Sequence, residues 1–194
     1  MRDEAYRRIG NLYPKVQIPQ EQGGGEATVI AWIWARTVTC PNPACGGEVP
    51  LVRSFDLSKK KGKEAHIEMD CEGGNPRFSV ASGLAEREGT VNRKGAVCPH
   101  CGQPVGFEYI REQSRTVGMG AHLMAVVAEA KKGRLYIAPD KEQIKAADVE
   151  KPEDYPTGEL AYYPGHFNTK IYGLDEFDKL FTCRQLTALT TFSD

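Results

Sequence analysis

The strongest constraint on the fold is a pair of similar stretches, CPNPACGGEVPLV (residues 40–52) and CPHCGQPVGFE (residues 98–108). Each begins with Cys-Pro, continues through a short spacer to Cys-Gly, and then enters apolar sequence. In a zinc knuckle the turn between two cysteines directs backbone N–H groups at the thiolates. The residue after the second cysteine often needs a positive φ, which glycine adopts at little cost. Two knuckles supply four thiolates, enough to close one tetrahedral zinc site.

The repeat therefore predicts a zinc ribbon in which Gly46 and Gly102 occupy the positive-φ positions. The predicted ligands of one structural Zn²⁺ are Cys40, Cys45, Cys98 and Cys101. The spacings differ, C-x4-C and C-x2-C, which zinc ribbons tolerate. The fifty-two residues between the knuckles exceed a minimal ribbon, so a strand-rich insertion is expected there. His100 could substitute as a ligand, but it lies inside the tight second turn and is expected to point outward.

Two other interpretations of these cysteines remain. A Cys-Pro-His-Cys tetrapeptide also fits a thiol oxidoreductase, in which a helix after the first cysteine lowers its thiol pKa. Gly102, Pro104 and Gly106 are poor helix sequence, however, and this interpretation leaves the cysteines at 40 and 45 unexplained. The main competitor of zinc is a cluster of four buried, reduced cysteines without metal.

Cys71 and Cys183 have no knuckle neighbours. Either thiol could act as a nucleophile beside His66 or His166, but an isolated cysteine is more often a small buried apolar residue. No catalytic residue is therefore assigned, and the question of an enzyme is left open.

The remaining sequence predicts an α+β chain that is mainly β. Residues 1–27 are expected to be irregular because Pro14, Pro19 and a GGG run break any periodicity. β-Branched, aromatic or alternating sequence predicts strands over 28–39, 48–57, 64–71 and 77–82. Residues 122–139 contain two apolar runs separated by KKG, which favours a hairpin with Gly133 at a positive-φ position.

Short helices are expected towards the C-terminus. Asp140 is placed to cap a helix over 140–149, residues 174–181 have a helical pattern, and Thr182 with Gln185 forms a capping box. The predicted organisation has three parts: an irregular N-terminal segment (1–27), a zinc-ribbon β domain with inserted strands (28–139), and short helices with an extended segment (140–194).

Composition narrows the setting. The 194 residues carry a formal net charge of −1, so no global charge indicates a nucleic-acid or membrane partner. No apolar run approaches the length of a membrane span, and the N-terminal sequence lacks the apolar core of a signal peptide. A cytoplasmic chain without a membrane partner is therefore expected. Thiols stay reduced there, so six cysteines suggest metal or catalysis before disulfides.

Positive charge is concentrated locally. The stretch SKKKGK (58–63) has a glycine and no apolar residue, so it is predicted to be a turn between two strands. Phosphate contacts require Lys and Arg on one face. The candidates for contact with duplex DNA are Lys59, Lys60, Lys61, Lys63, Arg93 and Lys94. An ordinary solvated turn is the alternative for the lysines.

The chain resembles the bacterial and archaeal adenine-specific DNA methylases that carry a zinc-ribbon insertion. The resemblance lies in five stretches: AWIWARTVTCPNPACGGEVPLVRSF, LSKKKGK, GTVNRKGAVCPHCG, FEYIRE and LFTCRQLTALTTFSD. It covers nearly the whole sequence. It implies that this segment is the insertion, between an upstream S-adenosylmethionine-binding glycine motif and a downstream Asn/Asp-Pro-Pro-aromatic catalytic motif.

The sequence departs from a complete methylase in two respects. It has no Asn/Asp-Pro-Pro-aromatic motif; the closest string is NPRF (75–78), where Arg77 replaces the second proline. It also has no FxGxG-like cofactor loop. The resemblance therefore implies a segment that is not catalytic alone, with S-adenosylmethionine bound only elsewhere in the parent. Its expected partners are duplex DNA and the rest of the parent methylase.

Three functions compete. The first is a zinc-ribbon accessory segment of such a methylase that helps to bind DNA or a partner. The second is a stand-alone zinc-ribbon protein-interaction module, for which residues 150–173, rich in tyrosine and proline, are the candidate surface. The third is an independent enzyme built on Cys71 or Cys183.

Overall fold

The computed structural model describes residues 2–130, 133–163, 165 and 168–193. Within these residues the chain is α+β with more strand than helix, and its strands form four short antiparallel sheets. The predicted fold class is therefore confirmed. His166, a candidate partner for a nucleophilic cysteine, lies outside the described residues.

The secondary structure falls into two compact units, one formed by residues 30–139 and the other by 1–29 with 140–194. The helices are α1 Arg2–Ile9, α2 Phe107–Thr116, α3 Lys141–Ala147 and α4 Cys183–Ser193. The strands are β1 Val16–Gln17, β2 Glu26–Ala27, β3 Val29–Thr39, β4 Glu48–Pro50, β5 Asp56–Ser58, β6 Ala65–Asp70, β7 Arg77–Ser82, β8 Val91–Asn92, β9 Gly95–Val97, β10 Pro104–Gly106, β11 Gly120–Ala130 and β12 Gly133–Ile137. The terminal segments, which the sequence predicted as separate parts, thus contribute to one unit.

The larger unit contains a four-stranded sheet in the order β12-β11-β3-β4. β3 confirms the strand predicted over 28–39, where β-branched and aromatic residues suit a half-buried strand. β11 and β12 confirm the predicted hairpin, and Gly133 has a φ of +121° at the start of β12. Lys131 and Lys132, between these strands, lie outside the described residues.

A second sheet of this unit has the order β5-β6-β7 and contains the strands predicted over 64–71 and 77–82. Its Ile67 belongs to the same buried cluster as Ala35 of β3 and Met124 of β11. The two sheets therefore share one apolar core, from which most of the stability of this unit is expected.

The strand predicted over 48–57 is only partly correct. β4 pairs with β3, but the pairing ends at Pro50, and β5 then begins in the other sheet. The chain leaves β3 because Val52 bonds elsewhere. Its N–H donates to Thr90 Oγ1 at 3.0 Å, and its carbonyl accepts from the Val91 N–H at 2.9 Å.

In the smaller unit, helix α1 occupies residues that were predicted to be irregular as part of 1–27. Ala5 and Ile9, one turn apart, are buried, and the Glu4 carboxylate accepts from Arg8 Nε at 3.1 Å. The helix ends before the first proline of the chain. The prolines and glycines of this segment therefore interrupt regular structure only in the residues after α1, and the prediction of an irregular 1–27 is wrong for the helix itself.

Two predicted caps of this unit are confirmed. The Asp140 carboxylate accepts from the Gln143 N–H at 2.7 Å and caps α3. Before α4, the Thr182 N–H donates to Gln185 Oε1 at 2.9 Å, and the Gln185 N–H donates to Thr182 Oγ1 at 3.2 Å. These reciprocal bonds form the capping box.

The helix predicted over 174–181 is wrong, apart from one 3-10 turn at Asp178–Leu180. The backbone there bonds to an extended segment. The Asp175 carbonyl accepts from the Leu160 N–H at 2.7 Å, and the Phe177 N–H donates to the Gly158 carbonyl at 3.0 Å. The Asp175 carbonyl and the Phe177 N–H are therefore not free to form the hydrogen bonds of an α-helix.

Candidate metal centre

The four cysteines of the repeat bring their sulfur atoms to one place, all within 4.8 Å of one another. The Sγ atoms of Cys40 and Cys101 are 3.7 Å apart, and those of Cys45 and Cys98 are 3.8 Å apart. Four sulfurs at about 2.3 Å from a central zinc ion define a tetrahedron with edges of about 3.8 Å. Two of the sulfur–sulfur distances thus match the tetrahedral edge, and the four sulfurs lie close enough together to hold one metal ion.

Each cysteine pair lies in a loop between two antiparallel strands. The first knuckle (residues 40–47) joins β3 to β4, and the second knuckle (residues 98–103) joins β9 to β10. The loops are closed by equivalent bonds. The Cys40 N–H donates to the Gly47 carbonyl at 2.9 Å, and the Cys98 N–H donates to the Gln103 carbonyl at 2.9 Å.

The glycine that follows the second cysteine of each knuckle has the expected backbone. Gly46 has a φ of +55° and Gly102 a φ of +74°, a region that other residues adopt at a cost. The Gly46 N–H donates to the Asn42 carbonyl at 3.0 Å, and the Gly102 N–H donates to the Cys98 carbonyl at 2.9 Å. Both glycines therefore have the positive φ that the repeat predicted, and each closes a turn back into its own knuckle.

The thiols differ in their acidity because their surroundings differ. Burial raises the pKa of Cys40 to about 12, and burial also raises the pKa of Cys98. Cys101 is exposed, and a hydrogen bond from the Gln103 backbone N–H is the main cause that lowers its pKa to about 7. A bound cation would favour the thiolate form of all four, and it would replace the protons that the buried cysteines hold.

The prediction that His100 points outward is wrong. Its ring lies between two backbone carbonyls, with Nδ1 3.0 Å from the Cys71 oxygen and Nε2 2.9 Å from the Glu48 oxygen. A Cβ atom on Gly47 would lie 2.8 Å from Cδ2 of the ring. His100 therefore connects the second knuckle to the first, and the close approach requires glycine at position 47.

Asn42 is a further residue of the site that the sequence analysis did not identify. Its Oδ1 accepts from the Ala44 N–H at 3.0 Å, and its Nδ2 lies 3.9 Å from the Cys101 sulfur. Asparagine commonly bonds to the backbone two residues on, so an Asx turn in CPNPAC was the available signal. The contact with Cys101 depends on the second knuckle and had no signal in the local sequence.

The two remaining cysteines are not members of this cluster. Cys71 is half-buried, and burial raises the pKa of its thiol although Arg87 opposes the shift. Cys183 is the first residue of α4. Nδ1 of His66 contacts the Gly83 carbonyl at 3.1 Å. The structure thus describes no histidine–cysteine pair at either thiol among residues 2–130, 133–163, 165 and 168–193.

The structure places the candidate basic residues on two hairpins. The SKKKGK stretch connects β5 to β6, as predicted, and all four of its lysines are exposed. Lys59 forms an ion pair with Asp56 at 3.0 Å. Arg93 and Lys94 are exposed in the turn between β8 and β9, a different sheet.

Comparisons with known proteins found no matching family model, curated protein or solved structure. No helix in the described part of the chain is long and apolar enough to cross a membrane.

Proposed function

We propose that this chain is a zinc-ribbon module that serves as a non-catalytic accessory segment of an adenine-specific DNA methylase. In this role it would help the parent to bind DNA or a partner. The observation that carries the proposal is the four-sulfur cluster, with Sγ–Sγ distances of 3.7 and 3.8 Å. A cytoplasmic location belongs to the proposal, because a reducing compartment keeps these thiols available for metal.

Zinc fits the donor set. Four thiolates in tetrahedral array are typical of zinc or of an iron–sulfur site. Four cysteines also complete the coordination of zinc, whereas a catalytic zinc site keeps one position for water or substrate. The proposed ion is therefore structural, and its binding free energy adds to the stability of the fold.

The methylase role is supported by the five stretches of sequence that resemble that family. Neither the FxGxG-like cofactor loop nor the Asn/Asp-Pro-Pro-aromatic motif of that family occurs in this sequence. We therefore expect S-adenosylmethionine to bind elsewhere in the parent protein, and we assign this chain no catalytic residue.

Calorimetry and methyl-transfer assays test whether this chain alone binds the cofactor or transfers a methyl group. The isolated chain is expected to show no binding of S-adenosylmethionine at micromolar protein and no methyl transfer to adenine-containing duplex DNA. Transfer above the level of a protein-free control would contradict the proposal.

A protein-interaction module is the second candidate, and one observation favours it. Tyr162 and Tyr163, within residues 150–173, are 53% and 58% exposed. Tyrosine is enriched at protein interfaces, where its ring packs and its hydroxyl stays hydrated. Binding of duplex DNA that weakens steeply with salt would favour the first candidate, since the second predicts no such binding.

A further inference from the structure

Two hairpin turns that are far apart in sequence meet in the larger unit. Lys63 lies at the end of the connection between β5 and β6, and Gly133 is the first residue of β12. Nζ of Lys63 is 3.1 Å from the position that a Cβ atom would occupy on Gly133. The connection between β5 and β6 therefore reaches the start of β12; these two places are called the tips of the two hairpins below.

The shared core explains why the tips meet. Phe55 precedes β5, Ile67 lies on β6, and Met124 lies on β11, and all three belong to one buried cluster. Because the core holds the two sheets together, the packed structure holds the two tips next to each other. A surface that spans both tips is thus a property of the packed structure and not of one mobile turn.

The joined tips are basic. Lys60, Lys61 and Lys63 are exposed on one tip, and Arg134, which follows Gly133, is exposed on the other. We define these four residues as the two-tip surface. Lys59 is left out because Asp56 pairs with it, and Lys131 and Lys132 are left out because they are not described.

Carboxylates reduce this charge without cancelling it. Glu64 follows Lys63 in sequence, and Glu129 lies opposite Arg134 in the β11–β12 ladder. Like charges gathered at the surface contribute little to stability and repel one another at low salt. The exposed charge of Lys60, Lys61 and Arg134 therefore suits an anionic partner better than a role in packing.

We propose that the two-tip surface binds the phosphate backbone of duplex nucleic acid. Lysine and arginine contacts to phosphates position a protein on a duplex without reading its sequence. Proteins that hold single strands use aromatic side chains for stacking, and residues 58–64 and 133–134 contain none. This inference adds to the proposed function the surface that binds and the partner that is bound. It rests on the proposed function only for the choice of DNA as the duplex.

Binding of a fluorescent DNA duplex over a salt series, with the metal-loaded full chain, tests the surface. Each neutralised phosphate contributes about 0.9 to the slope of log K against log salt, so two or three contacts give a slope of about −2 to −3. Affinity should fall roughly 15- to 60-fold between about 50 and 200 mM salt. An RNA duplex of the same sequence shows whether the surface distinguishes the two backbones.

Substitutions on each tip separate the two-tip surface from a single basic turn. Lys60→Gln with Lys61→Gln should flatten the slope by about 1 to 2, and Arg134→Gln by up to about 1. The matched control is Lys141→Gln with Lys145→Gln, which removes two exposed lysines from α3 of the other unit. It should leave the slope unchanged.

An unchanged slope in Arg134→Gln would overturn the inference, since one turn would then suffice. Equal losses in the control would also overturn it, because they would show a general effect of charge. The same holds if anionic vesicles bind through these residues and duplex DNA does not. Metal content and melting temperature are measured on each sample. If the wild-type chain binds zinc but does not bind DNA, the proposal for the two-tip surface is refuted and the proposal of a zinc-ribbon module is not.

Discussion

The two knuckles close one sulfur cluster with loops of different length. In both, the first cysteine donates its N–H to the carbonyl two residues beyond the second cysteine. In the shorter second knuckle, Gly102 bonds to the carbonyl of Cys98, whereas in the longer first knuckle Gly46 bonds to that of Asn42. Two extra residues are thus accommodated between the first cysteine and the turn. The final glycine turn and the strand pairing are what the knuckles share.

Burial follows the same order in both knuckles. The first cysteines, Cys40 and Cys98, follow directly on strands and are buried, while Cys45 is half-buried and Cys101 is exposed. In both knuckles the position directly after the strand is buried, and the loop leaves the second cysteine nearer to solvent. The comparison predicts that replacing the first cysteine of a knuckle lowers the stability of the fold more than replacing the second. It also predicts that replacing any of the four abolishes metal binding.

The largest effect is expected from removing a ligand. Cys40→Ser and Cys101→Ser should each abolish stoichiometric zinc and lower the melting temperature, because structural zinc binding is worth on the order of 10 kcal/mol. Cys40→Ser should lower it further, since serine adds a buried hydroxyl. Elemental analysis and thermal unfolding provide the measurements. Cys183→Ser is the control and should keep its zinc; full zinc occupancy in Cys40→Ser would refute the site.

The contact between the knuckles should give the next effect. Gly47→Ala places a methyl group 2.8 Å from the anchored His100 ring and should cost about 1–3 kcal/mol through overpacking. His100→Ala removes the ring's contacts with the Cys71 and Glu48 carbonyls and should weaken zinc binding by up to about 10-fold, the low end for groups that support a metal site from outside its ligands. If Gly47→Ala destabilises the protein because its methyl group clashes with the His100 ring, the double variant with His100→Ala should lose less stability than the two single variants added together. Strict additivity in chemical denaturation would contradict the contact.

The positive-φ glycines test whether the two knuckles are equivalent. Gly46→Ala and Gly102→Ala should each cost about 1–2 kcal/mol, because a left-handed backbone is strained for alanine. Gly106 is the matched control, since its φ is −67° and a Cβ atom there meets nothing within 4 Å. Gly106 is also the N-cap of α2, where glycine is favoured over alanine, so Gly106→Ala should cost only about 0.5–1 kcal/mol, less than a positive-φ glycine. A clear difference between the costs at 46 and 102 would show that one loop carries more of the strain.

The smallest effect should be confined to the longer knuckle. Asn42→Ala loses the side-chain bond to the Ala44 N–H and should cost about 1 kcal/mol with one zinc retained. Asn42→Asp keeps that acceptor but places a carboxylate near the Cys101 sulfur. It should therefore weaken zinc binding more than it weakens the fold in competition with a chelator. The reverse order would remove Asn42 from the site.

Local patterns in the sequence were sufficient for much of this molecule. The cysteines, the two glycines that follow them, the cap of α3 and the capping box before α4 each depend on a few adjacent residues. Helix α1 was missed because breakers at Pro14 and beyond were applied to the whole N-terminal segment, although they act only on nearby residues.

What the sequence could not predict depends on contacts between distant segments. His100 is held by the carbonyls of Cys71, which follows β6, and of Glu48, which begins β4, and only the packed fold brings these two segments to it. The end of β4 is set by Thr90 and Val91, far along the chain from Val52. The meeting of Lys63 with Gly133 likewise follows from two sheets sharing a core.

Metal analysis of the purified wild-type chain tests the central claim most directly. Elemental analysis that reports zinc and iron together should find one zinc per chain and no stoichiometric iron. Chelation should then lower the melting temperature, because metal binding is coupled to folding. A metal-free chain with four reduced thiols at positions 40, 45, 98 and 101, and with the same melting temperature in the presence of a chelator, would contradict the claim.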